Sequence, residues 1–403
     1  MTSSRSSAIP DAFAPAQLGP VALRNRILKA ATFEGMCKDA LVTDELIAFH
    51  VAVGQGGVGM TTVAYCAVAP EGRTERDQLW WRAEVLPGLR RLTDAVHATG
   101  AKVSAQIGHA GPVANSASTK LPAIAASRVF TPQALAFARA ADERDIERVI
   151  AAHADAAGMA RDVGFDAVEL HFGHNYLVSS FLSPNLNRRR DGWGGPLEQR
   201  ARFARRIAEV VRARVGTSMV VLAKINMDDG VRGGLLPDES LAFARLLEAD
   251  GHLDALELTG GSSLKNPLYL FKGDVPVREM ADSQGPLMGL GVRLFGRLLL
   301  KSYPYRPLYF LDTARAFRQG LRMPLVLLGG ITDAAALDTA MREGFELVAM
   351  ARAPLREPDL VARIAADRAT LSRCTHCNRC MATIFSGTRC PLIDEERRGP
   401  PGT

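Results

Sequence analysis

Nothing in the 403-residue chain is long and apolar enough to cross a bilayer as a helix. Spanning takes about 18 or more uninterrupted apolar residues. The closest stretch, 286–304, is broken by Arg293, Arg297 and Lys301. The N-terminus lacks a charged head, apolar core and cleavage site, so no secretory leader is expected. Cysteine is scarce, six in all, and four of the six crowd between positions 374 and 390. With no secretory context they imply no disulfide framework, and the expected compartment is the reducing cytoplasm. Apart from Arg188 to Arg190, basic residues form no run of three or more. The net charge of +6 is scattered among acidic residues, which argues against a nucleic-acid partner and suits an enzyme that binds phosphorylated cofactors.

What is present is ordinary globular material, 47% hydrophobic and 23% charged, enough for a sizeable core. The length fits two ordinary domains or one large α/β barrel. Residues 1–14 belong to a Ser/Ala/Pro-rich opening and are expected to form a loose arm. Beyond them strand-like and helix-like segments alternate. Strands are expected at 27–31, 59–63, 102–107, 167–171, 220–225, 255–258, 325–328 and 347–351. Helices are expected at 43–55, 87–99, 143–163, 197–214, 237–249, 311–319 and 333–343. Thr43 is a good N-cap, and Gly100 and Gly164 are good stops. Eight strands alternating with helices predict a parallel (β/α)8 barrel over 15–365, with an open doubly wound sheet as the alternative. Two stretches break the repeat. Residues 108–131 read as a long loop after the third strand. Residues 261–307 read as an extended loop or lid after the sixth; its apolar part could cover the barrel mouth, join subunits of a homo-oligomer or lie on a membrane surface. A cysteine-containing tail, 366–403, closes the chain.

The segment 166–203 carries the densest chemistry. A short apolar strand delivers His171, His174 and Tyr176 at its C-terminal end. Two imidazole N–H groups can hold a substrate oxygen, and a phenol with an unperturbed pKa near 10 keeps a proton to give. No carboxylate accompanies the pair in a metal-binding spacing; hydrogen-bonded structural histidines are the plainer alternative. Gln106 and Lys224, on the third and fifth strands, offer an amide and a cation to a heteroaromatic ring at the same mouth. The last two strands end in Gly329-Gly330 and in Ala351-Arg352, where backbone N–H groups and a guanidinium suit a phosphate. Gly54 to Gly59 matches the dinucleotide fingerprint literally. The helix precedes it and the strand follows, the reverse of what phosphate binding needs, so it reads as a helix-to-strand turn.

From about Pro15 to Arg363 the chain resembles the Old Yellow Enzyme family of flavin-dependent ene-reductases. The resemblance rests on LRNRILKAAT, GGVGMTTV with APEGR, AQIGHAGP, ELHFGHNYLVSSFLSPNLNRRRDGWGG, VVLAKIN, VLLGGIT and MARAPLREP in that order. It implies a barrel holding FMN, reduced by NADPH or NADH, that passes hydride to an electron-poor C=C bond. His171 and His174 would then bind the substrate's oxygen and Tyr176 would donate the proton. Gln106 and Lys224 would contact the flavin ring, Ala31 and Thr32 would approach it through the main chain, and Gly330, Ala351 and Arg352 would hold the phosphate. Phe33 stands where other members carry Thr or Cys, and Tyr65 where many have a small residue. Flavin chemistry in the oxidative or demethylating direction, or an idle FMN-binding redox sensor, are the alternatives.

The tail cysteines Cys374, Cys377, Cys380 and Cys390 read C-x2-C-x2-C-x9-C. Relatives of dienoyl-CoA reductase type carry a comparable motif, with slightly longer spacings, that binds a [4Fe–4S] centre fed by a second flavin domain. No such domain is expected within these 403 residues. An iron–sulfur centre, a zinc site and four metal-free thiols all stay open on spacing alone.

Overall fold

The computed structural model describes residues 9–398. Its centre is a closed barrel of eight parallel strands. They are β1 (Ile27–Lys29), β2 (Met60–Ala67), β3 (Lys102–Gly108), β4 (Ala167–Phe172), β5 (Val220–Asn226), β6 (Ala255–Thr259), β7 (Leu325–Leu328) and β8 (Leu347–Met350). Each pairs in parallel with the next, and β8 closes on β1 through Val348↔Ile27 and Met350↔Lys29. The expected (β/α)8 architecture is therefore what this chain adopts, and the open sheet is not.

Helices α1 (Asp44–Gln55), α2 (Leu86–His97), α3 (Glu143–Asp162), α4 (Leu197–Val215), α5 (Pro237–Asp250), α6 (Leu311–Gly320), α7 (Ala334–Arg342) and α8 (Leu360–Ala366) accompany the strands. Their starts follow local chemistry. Thr43 accepts from Leu46 N at 3.2 Å, and Asp142 and Asp145 form a reciprocal capping box on α3. The fingerprint-like glycines do make the α1-to-β2 turn: Gly57 has φ +103°, and a Cβ on Gly56 would lie 1.7 Å from Pro358 O. These glycines serve close packing, not a phosphate.

The N-terminal end of the barrel is plugged by an antiparallel hairpin, Ala16–Leu18 with Val21–Leu23. Its Leu18, Val21 and Leu23 pack on Ala167, Val220, Ala255 and Leu347, at or near the starts of four strands. Of the arm expected over 1–14, residues 1–8 lie outside the described residues; Ala12 is fully buried, and its carbonyl accepts from Arg26 N. With that end closed, the barrel opens only at the C-terminal ends of its strands.

Both irregular stretches carry structure. The segment after β3 is mostly loop, as expected for 108–131, but it carries a small sheet of Ile124–Ala125, Val129–Thr131 and Ala136–Ala140 that the sequence did not suggest. The segment after β6 contains a helical hairpin, Val277–Asp282 against Pro286–Leu299. Gly289 lets the two helices touch, since a Cβ there would sit 2.5 Å from Ala281 O. Leu290, Leu294 and Leu298 of the second helix point outward. No described helix is long and apolar enough to cross a membrane.

Candidate functional site at the barrel mouth

Alternation along the strands sorts side chains between the barrel interior and the surrounding helices. Register aligns Gln106 with Glu169, His171 with Lys224, and Lys224 with Glu257. Gln106 Nε2 donates to Glu169, and Lys224 Nζ lies 3.0 Å from both Glu169 Oε1 and Glu257 Oε1. All four are buried. Burial alone would lower the Lys224 ammonium; the two carboxylates outweigh it and hold the pKa above its ordinary value. Burial, and then the charge of Glu169, push Glu257 up to about 8. Strands β3 and β5 end at Gly108 and Asn226, two residues beyond Gln106 and Lys224. Gln106 and Lys224 therefore lie one layer inside the barrel, beneath the rim rather than on it. Glu169 and Glu257 are the residues that sequence reasoning missed. An apolar run interrupted at one inward position, as in AVELHF and ALELT, was the available signal.

One layer higher, β4 presents the histidine cluster. The His171 ring centroid is 5.0 Å from that of His174 and 4.3 Å from that of Tyr176. His174 and Asn175 adopt left-handed φ of +60° and +58°, which turns the chain sharply after the strand. Asn226 Oδ1 secures the turn by accepting from His174 N at 2.9 Å, and Thr259 Oγ1 lies 3.0 Å from His174 Nε2. Gly173 N donates to His171 Nδ1 at 3.4 Å, so the imidazole hydrogen of neutral His171 belongs on Nε2. Burial, reinforced by His174 and Lys224, holds His171 well below the ordinary imidazole pKa; burial and Lys224 take His174 down to about 3. Both rings are thus neutral at pH 7. Burial pushes the Tyr176 phenol up, so it keeps its proton.

Tyr65 completes this wall. Between Val63↔Ala105 and Cys66↔Ile107, two residues of β2 oppose one of β3, a bulge that re-aims the side chain. Its ring stands 5.3 Å from Tyr176 and 6.2 Å from His171, and its hydroxyl donates to Gly72 O. Ala31 packs against the same cluster as Tyr65 and Tyr176. Thr32 Oγ1 is buried without any hydrogen-bond partner.

The second half of the mouth is an open hollow of about 320 Å³ lined by Gly329, Gly330, Ala351, Arg352 and Tyr309. Gly330 has φ +75°, and a Cβ there would meet Leu308 N at 2.8 Å and Arg306 O at 2.9 Å. Arg352 donates to Asn378 Oδ1 and, at 3.0 Å, to Lys272 O. His376 also lines the hollow, its ring stacked on Tyr305 with centroids 3.4 Å apart and planes 10° apart. Asn378 and His376 come from the tail, where the sequence offers only a cysteine pattern around them.

These features fit FMN. A glycine cradle with a guanidinium suits its phosphate, an unpartnered buried hydroxyl awaits a ring atom, and an amide and a cation lie deeper in the barrel. The metal ligation considered for the tail is not borne out in this way. Burial, and then the neighbouring thiols, raise Cys374 and push Cys380 up to about 12. Yet among the described residues no three His, Cys, Asp or Glu side chains are gathered as a ligand set. Cys390 Sγ instead accepts from Arg356 Nη1 at 3.5 Å, and Cys374 Sγ faces His376 Nδ1 at 3.9 Å.

Comparison with known proteins agrees with this geometry. The family model described as NADH:flavin oxidoreductase / NADH oxidase matches residues 11–255. The 4,4'-dithiodibutanoate disulfide reductase of Rhodococcus erythropolis is 53% identical over 385 residues, covering 96% of each chain. A metal reductase of Desulforamulus reducens is 30% identical over 93% of this chain, which spans only 52% of that protein. In fold, the old yellow enzyme homologue of Zymomonas mobilis superposes with a TM-score of 0.70 over 90% of this chain and 94% of that one, at 22% identity. The barrel, its mouth and these matches together place the chain in the NADH:flavin oxidoreductase / NADH oxidase family.

Proposed function

We propose that this protein uses FMN and NAD(P)H to reduce a small organic disulfide. The observation that carries the reading is the end-to-end likeness to the Rhodococcus disulfide reductase, 53% identical with 96% of both chains aligned. The balance is simple: NAD(P)H and a proton supply two electrons and two hydrogens, one S–S bond breaks, and two thiols leave. Bound FMN would relay the hydride between nicotinamide and acceptor. The chain's own residues do the rest. Neutral His171 and His174 present N–H donors without a charge, so they can hold a polar acceptor atom while the buried site stays free of an extra cation. Tyr176, kept protonated by burial, delivers a proton to the departing sulfur.

A second reading, reduction of an electron-poor C=C bond, is favoured by the same His171, His174 and Tyr176 arrangement. There the imidazoles would hold a carbonyl oxygen and Tyr176 would protonate the α-carbon. One experiment separates the readings. The flavoprotein is reduced anaerobically with NADH or NADPH and mixed with 4,4'-dithiodibutanoate or cyclohexenone, and the oxidised flavoprotein is mixed separately with an N-methylated amine. Fastest reoxidation by the disulfide is expected. Reoxidation by cyclohexenone alone would hand the assignment to the alkene reading. Reduction of the oxidised flavin by the amine would indicate the demethylating direction, and no reaction with any of the three would leave a redox sensor.

A further inference from the structure

Above the histidine cluster, three loops meet and bring together two cations that have no salt-bridge partner among the described residues. Lys265 follows β6, Arg188 lies in the loop after β4, and Arg128 borders the small sheet after β3. Lys265 Nζ donates to Asn185 Oδ1, three residues before Arg188, and Arg188 Nη2 donates to Arg128 O at 2.9 Å. The carboxylate acting on Lys265 is Asp229. That group is buried and already accepts from Asn226 Nδ2 at 2.7 Å and Leu235 N at 3.0 Å. Partial burial, and then the charge of Arg188, lower the Lys265 ammonium, the mark of like charges held close. Such a pair is unfavourable until an anion enters between its members.

Its position ties it to the reacting end of the site. Ser263 N donates to His174 O at 3.0 Å. Leu264 and Leu186 belong to the apolar cluster that includes Tyr65 and packs against Tyr176. The two cations therefore flank an apolar wall that leads down to Tyr176. This matches an acceptor with an apolar stem between a reducible bond and an anionic end.

We propose that Lys265 and Arg188 form a carboxylate-binding subsite, making the enzyme selective for acceptors that carry an anionic group a few methylenes from the bond reduced. This rests on the reading of the mouth as a reductase site and deepens it by naming the substrate class. In 4,4'-dithiodibutanoate, three methylenes separate each carboxylate from its sulfur. Charge-assisted hydrogen bonds at a semi-exposed rim govern binding more than the chemical step, so the signature is a change in KM with little change in kcat.

The test compares the holoenzyme with the Lys265→Gln/Arg188→Gln double variant on matched pairs: 4,4'-dithiodibutanoate against bis(2-hydroxyethyl) disulfide, and 4-(3-oxocyclohex-1-enyl)butanoate against its methyl ester. The double variant should raise KM for the charged member about tenfold or more, with kcat and the neutral member little changed. Turnover of the neutral member also shows that the variant is folded. An equal charged-to-neutral KM ratio in both proteins overturns the subsite. Wild-type turnover of the enones but of neither disulfide would sink the disulfide reading while leaving the subsite under test in the enone pair. Calorimetric binding of sebacate, in which C–C replaces S–S, needs no turnover at all. Its Kd should weaken about tenfold in the double variant, and an unchanged Kd rejects the proposal.

Discussion

The two halves of the barrel mouth are built in opposite ways. The histidine half comes from one continuous segment, His171 to Tyr176, braced by Asn226 and Thr259 on the next two strands. His171 is buried, and His174 and Tyr176 are half-buried at the mouth. The cradle half is backbone from Gly329-Gly330 and a single guanidinium, with Asn378 and His376 reaching in from the tail. One half is fixed by secondary structure and packing; the other depends on a segment distant in sequence. Proton delivery demands a rigid, dry site, whereas a phosphate needs close approach of main-chain donors and one steadied cation.

Variants that act on one half alone would sharpen this contrast, and any that act on both would break it. The largest effect is expected from Tyr176→Phe. Loss of the proton donor should slow acceptor reduction by about 10²- to 10⁴-fold while leaving flavin reduction by NAD(P)H unaltered. Stopped-flow traces of the two half-reactions check this, and equal slowing of both would remove Tyr176 from the chemistry. Next comes Gly330→Val. A branched side chain at φ +75°, crowding Leu308 N and Arg306 O, should cost about 1–3 kcal/mol of the cradle's geometry. The purified variant should come out paler than wild type, with FMN affinity on titration lower by roughly 5- to 100-fold.

Asn378→Gly gives a smaller effect. It keeps the backbone at ease at φ +58° but deprives Arg352 of its tail partner. About 1 kcal/mol, or roughly fivefold in FMN Kd, is expected, with kcat for saturated enzyme unchanged. A fall in kcat instead would mean that the tail governs the histidine half too. The smallest expected effect is none. With His174 pushed down to about 3 and His171 held well below 6.5, neither ring gains its charge near the ordinary imidazole pKa in the folded protein. Neither should therefore produce a limb near pH 6.5 in the kcat profile. A limb there that His174→Asn abolishes would show that the burial argument fails.

The contrast also separates what could be read from the chain and what could not. The strand–helix alternation forecast eight parallel strands because each βα unit carries its own hydrophobic periodicity. His171, His174 and Tyr176 were legible because they are close in sequence and end one strand. That Gly330 and Arg352 share one hollow was legible because each follows one of the last two strands. Beyond that reach, closure of the barrel decided. Only parallel register sets Lys224 between Glu169 and Glu257, on three different strands. Only a bulge in β2 turns Tyr65 toward Tyr176, and only the folded tail puts Asn378 on Arg352. The four cysteines show the same limit from the other side. Their spacing suggested a ligand set, but thiol positions depend on how the tail lies across the barrel, where Arg356 and His376 engage two of them. Sequence carries what neighbours along the chain impose on one another; contacts between segments hundreds of residues apart exist only once the ring of strands has closed.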